Sequence, residues 1–63
     1  MTQDKIKHYI GENIFNHIAS LNKGELIKMK SNLITEMELY QPKTKQHFLY
    51  TIELNFINYR IGN

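Results

Sequence analysis

The sequence predicts an α+β fold in the order α-β-β: an N-terminal helix followed by a long antiparallel β-hairpin, assembled as a homodimer or higher homo-oligomer. Three observations carry that expectation. Apolar residues recur at spacings of three and four over the first third of the chain. They then alternate with polar ones through Ile27, Met29, Ser31, Leu33, Thr35, Met37 and Leu39. Past the single proline, Pro42, a second alternation runs through Phe48, Tyr50, Ile52, Leu54 and Phe56. Spacings of three and four are the period of a helix with one buried face, and strict alternation is the period of a strand with one buried and one wet face.

The helix is expected over about residues 3–21. Thr2 or Asp4 can cap it, and Ile6, Ile10, Ile14, Ile18 and Leu21 form its apolar stripe, with Phe15 on the flank. Gly11 falls beside that stripe near Ile18, where a missing side chain leaves a notch for a second backbone, either at an oligomer interface or as a tolerated glycine. Asn22-Lys23-Gly24 supplies the stop, with Asn22 or Gly24 available for a left-handed cap.

The first strand is expected over about residues 25–40, with Lys28, Lys30, Asn32, Glu36 and Glu38 on its wet face. A helix competes for this segment. Leu26, Met29, Leu33, Met37 and Tyr40 also recur at three or four, and Asn22 with Glu25 can form a capping pair. The strand is preferred because alternation also captures Ile27 and Leu39, and because the following segment alternates too. A short hairpin at Ser31-Asn32 ranks third, since it sets Lys30 opposite Leu33 and Ile27 opposite Glu36. Residues 41–46, Gln41-Pro42-Lys43-Thr44-Lys45-Gln46, have turn composition and form the hairpin tip. The second strand then covers about residues 47–61. Setting Leu39 opposite Phe48 pairs Met37 with Tyr50, Thr35 with Ile52 and Leu33 with Leu54. The apolar parity switches after Phe56, continuing as Ile57, Tyr59 and Ile61. That predicts a bulge near Phe56 and Ile57, or packing of the last three residues on another subunit.

Sixty-three residues make one small domain, and Met1 without a linker or low-complexity tail leads us to expect a complete short reading frame. A compact monomer of this mass would expose roughly 4,200 Å². A helix on a two-stranded ribbon is less compact than that scaling assumes, and without cysteine there is no disulfide to compensate. Self-association is the expected remedy, with Gly11, Phe15, Ile57, Tyr59 and Ile61 as the candidate oligomer-interface residues. The lack of cysteine fits a reducing compartment, and the polar-interrupted N-terminal segment reads as neither a signal peptide nor a membrane span, so the expected location is cytoplasmic. Seven lysines against one arginine, with nine isoleucines and seven asparagines, match the codon usage of an A/T-rich genome, hence a low-GC bacterium or a phage-infected host cell.

Catalysis needs convergent groups. His8 and His17 are nine residues apart, outside the spacing that places two ligands on one helical face, and no cysteine or HExxH pattern completes a metal site. His17 is expected on the apolar side of its helix, near Ile6 and Ile10, as a partly buried histidine with a hydrogen-bond partner. Glu36, Glu38 and Glu53 share a strand face with Lys28 and Lys30, which reads as an ordinary solvated surface. No serine sits in a GxSxG context and no glycine-rich loop precedes a helix. The expectation is therefore no catalytic residues, no metal, no cofactor and no enzymatic activity.

Binding is the remaining class. Lys43, Lys45 and His47 cluster at the expected tip, while Ile34, Tyr40 and Leu49 interrupt the wet face of the ribbon. These six are the candidate partner-binding residues, with Tyr40 as the kind of aromatic anchor that interfaces use. A basic β-ribbon carrying Lys28, Lys30, Lys43 and Lys45 can also enter a major groove. The net charge of +2 and the single arginine place nucleic acid second to protein as a partner. The expected function is a small non-enzymatic protein that binds and modulates another protein. A phage or mobile-element accessory factor, such as an inhibitor of a host enzyme or of an antiviral defence, is the expected setting. A dimeric DNA-binding regulator is the alternative, and a purely structural self-assembling protein is the second alternative.

Overall fold

Thr2 accepts a hydrogen bond at Oγ1 from the Lys5 amide at 3.4 Å and opens the first helix, α1 (Gln3–Ile10). In the computed structural model, which describes residues 2–62, three further helices follow: α2 (Glu12–Ser20), α3 (Lys23–Met37) and α4 (Lys45–Ile61). The described residues contain no strand. The fold is all-α, and the expected β-hairpin is overturned: residues 25–37 and 47–61 are helical and residues 38–40 belong to the connection between helices, so the strand pairs from Leu39 with Phe48 onward and the bulge at Phe56 and Ile57 do not exist.

The expected helix over 3–21 is two helices that meet at Gly11. Its backbone sits at φ 92° and ψ 154°, a region essentially confined to glycine. Its N–H closes α1 on the Lys7 carbonyl at 2.9 Å, and its carbonyl opens α2 by accepting from the Phe15 amide at 3.0 Å. A Cβ built on Gly11 meets nothing within 4 Å, so the residue serves a change of direction and not a close approach of backbones. The break re-phases the apolar stripe. Ile6, Ile10 and Ile18 enter the core, Phe15 packs against it, and Ile14 is left 41% exposed.

Asn22 starts a helix where a stop was expected. Its Oδ1 accepts from the Glu25 amide at 2.8 Å while Glu25 Oε1 accepts from the Asn22 amide at 3.0 Å, a reciprocal capping box. Gly24 lies within the first turn of α3. The hairpin tip becomes an interhelical connection in which Thr44 caps α4, accepting from the His47 amide at 3.2 Å. Lys45 and Gln46 are already helical, and Gly62 closes α4 in the left-handed conformation.

Helix α4 is the centre of the molecule. It packs along α3 on one side and against α1 and α2 on the other, contributing Ile52, Phe56 and Ile57 to the core beside Leu26 and Leu33 of α3. Phe56 stacks on Phe15 of α2, with ring centroids 4.8 Å apart. Arg60 donates to the carbonyls of Ala19 at 2.8 Å and Leu21 at 3.4 Å, so the only arginine satisfies the C-terminal end of α2. With a radius of gyration of 11.1 Å, against about 10.6 Å for a compact chain of this length, and an exposed area of 4611 Å², the single subunit is compact. The case for self-association based on an open ribbon therefore falls away.

Candidate functional site

The sequence-expected residues are dispersed by the helical fold. Ile57 is fully shielded in the core of its own subunit, and the half-buried Phe15 stacks on Phe56. Gly11 is an exposed joint. Tyr59 and Ile61 lie on different faces of α4: Tyr59 lines a groove with α1, and Ile61 a groove with α3. Among the partner-binding candidates, Ile34 flanks the α3 groove, whereas Tyr40 lies in the connection with its ring 5.7 Å from Tyr50. Lys43 and Lys45 are exposed near the start of α4, and His47 and Leu49 are half-buried in its first turns. His17 is exposed, contrary to its expected place on the apolar side. The basic β-ribbon of the nucleic-acid alternative is absent, and its lysines fall on α3, the connection and the start of α4.

Two exposed surfaces that border α4 stand out among the described residues. The first is the seam between α1 and α4, which run antiparallel. Tyr9 near the end of α1 meets Phe48 near the start of α4 edge-to-face at 5.5 Å, and Thr2, Gln3 and Ile6 at the other end of α1 meet Asn55 and Tyr59 around a groove of about 460 Å³. Phe48, Asn55 and Tyr59 stand at i, i+7 and i+11, which places them on one face of α4 over about 16 Å. Tyr9, Phe48 and Tyr59 are 44%, 47% and 64% exposed. One turn from Asn55, Asn58 Oδ1 is shielded from solvent without a hydrogen-bond partner among the described residues.

The second surface runs along the flank of α3, which has α4 as its main packing partner. Ile27, Lys30, Ser31 and Ile34 form with Ile61 a shallow groove of about 380 Å³.

The titratable groups gather elsewhere, between the end of α3 and the first half of α4. Burial holds the Glu53 carboxyl above the usual carboxylate range, and the nearby Glu36 carboxylate pushes it further in the same direction. Burial likewise raises Tyr50, partly offset by its Gln46 hydrogen bond and reinforced by Glu36. Among the described residues no three His, Asp or Glu side chains are placed to hold a metal, and no helix is long and apolar enough to cross a membrane. The sequence reading missed Tyr9, Gln3 and Asn55 as surface groups; the i, i+7, i+11 spacing of Phe48, Asn55 and Tyr59 was a signal for Asn55, and nothing in the sequence pointed to Tyr9 or Gln3. Compared with known proteins, the chain matches no family model, no curated protein and no solved structure.

Proposed function

We propose that this chain acts without catalysis, by binding another protein along the α1–α4 seam and modulating it. The observation that carries this reading is the exposure of three large aromatic side chains, Tyr9, Phe48 and Tyr59, along one seam that also presents the amides of Gln3 and Asn55. Aromatic rings of this kind supply large contact area with few rotatable bonds, and tyrosine is enriched among the residues that dominate binding energy. A partner that covers the seam buries the rings, while the amides fix its register by hydrogen bonding.

A photo-crosslinking residue at Asn55, compared with one at Lys43 in the interhelical connection, tests the proposal in cells that produce the protein. The expected result is a discrete protein adduct from position 55 that disappears when Tyr9→Ala and Phe48→Ala are combined, with helical circular dichroism unchanged. Adducts from position 43 alone, adducts to nucleic acid, or a position-55 adduct indifferent to the two aromatic substitutions would overturn it.

A further inference from the structure

The flank of α3 carries a pattern that the seam does not use. Lys23, Ile27, Ile34 and Glu38 recur along one side of the helix, with Lys30 and Ser31 on either edge of the stripe at its middle. The stripe is symmetric about its midpoint between Lys30 and Ser31: Ile27 and Ile34 lie equally far from it, and Lys23 and Glu38 lie equally far beyond them with opposite charge. Ile27 is 51% exposed and Ile34 41%. Among the described residues neither Lys23 nor Glu38 makes an ion pair, and the one such pair is Lys7 with Glu12 at 4.0 Å.

We propose that the occupant of this flank is a second copy of the chain, with the two α3 helices packed antiparallel about a two-fold axis at the Lys30–Ser31 step. A two-fold contact uses the same patch on both subunits, so the patch must complement itself. Antiparallel packing sets Ile27 against the partner's Ile34, and Ile34 against the partner's Ile27. It also sets Lys23 against the partner's Glu38, and Glu38 against the partner's Lys23. A parallel pair would instead set Lys23 beside the partner's Lys23 and Glu38 beside the partner's Glu38, like charge on like at both ends. Ile61, which already borders the groove beside Ile27, widens the apolar strip along one edge.

The two Lys30 side chains come near each other on that same edge. Their stems cover the isoleucines while the ammonium groups turn outward to water, which limits affinity. The α3–α3 contact is about 22 Å long, and its area falls short of the roughly 800 Å² per partner of a standard interface. The dimer is accordingly one that dissociates on dilution.

Sedimentation equilibrium of the whole chain, from about 1 μM to about 1 mM, tests both the dimer and its register. The wild type is expected to pass from monomer to dimer over that range, and Ile27→Glu to raise the dissociation constant by at least about 100-fold with its helical circular dichroism intact. Lys23→Glu and Glu38→Lys are each expected to weaken the dimer about tenfold, and the double variant to return to within about threefold of wild type. A chain that stays monomeric throughout overturns the proposal. So does a dimer indifferent to Ile27→Glu, and so do single charge reversals that the double variant fails to rescue. Seam variants such as Phe48→Ala leave this equilibrium unchanged, so failure here and failure of the α1–α4 reading are told apart.

Discussion

Glu53 is a carboxyl-bearing residue of α4 of which folding leaves 7% exposed. Its neighbour Glu36 is another carboxylate, so desolvation and like charge act in the same sense and hold its pKa above the ordinary 4.5. Between 4.5 and the raised value the folded chain binds more protons than the unfolded one. Stability therefore falls as pH rises through that window, and the loss is complete above it. Glu53→Gln keeps the shape without the charge, and urea unfolding should show it more stable than wild type at pH 7. The difference should shrink as the pH falls toward 4.5; a variant less stable than wild type at pH 7 would contradict the assignment. The sequence placed Glu53 near Glu36 on a solvated strand face, and the helical fold keeps the two groups near each other but buries Glu53 while Glu36 stays exposed.

At the scale of elements, the alternation that suggested strands has a helical cause. Phe48, Ile52, Phe56 and Tyr59 are spaced four, four and three, and face α1 and α2; Tyr50, Leu54, Ile57 and Ile61 are spaced four, three and four, on the side of α3. A helix packed on both sides carries two apolar stripes two residues out of step, and interleaved they imitate period two. The parity switch at Phe56 and Ile57 that suggested a bulge is the three-residue step a helix must take and a strand never does. In α3 the core stripe of Leu26, Met29, Leu33 and Met37 and the Asn22–Glu25 box were legible from the start, and what masked them was the exposed pair Ile27 and Leu39, which alternation captured and the helical stripe left out. The break at Gly11 was not legible, because the isoleucines on either side continue one helical stripe and only backbone geometry separates α1 from α2. Gly11→Ala would make a continuous helix more favourable by propensity, yet it forces an L side chain into the glycine-only region, a cost of about 1–3 kcal/mol. The urea midpoint of that variant should fall accordingly; an unchanged or higher midpoint would mean that α1 and α2 can merge without loss.

For the whole molecule, α4 is the element on which the rest depends, since α1, α2 and α3 all pack against it and both exposed surfaces use its side chains. A chain of this size has roughly 3–9 kcal/mol of stability in total. The fold therefore has little to spare if this helix is lost. The common face of Phe48, Asn55 and Tyr59 beside Tyr9, and the place of Ile61 beside Ile27 and Ile34, depend on residues 45–61 being helical; as a strand Phe48 would face away from Asn55 and Tyr59. Nuclear Overhauser spectroscopy of the isotopically labelled chain tests that claim directly. Strong sequential amide–amide contacts through residues 45–61, with Hα-to-Hβ contacts three residues on and aromatic contacts between Tyr9 and Phe48, are the expected result. Strong sequential Hα-to-amide contacts there, with cross-strand contacts linking Leu39 to Phe48 and Met37 to Tyr50, would contradict it.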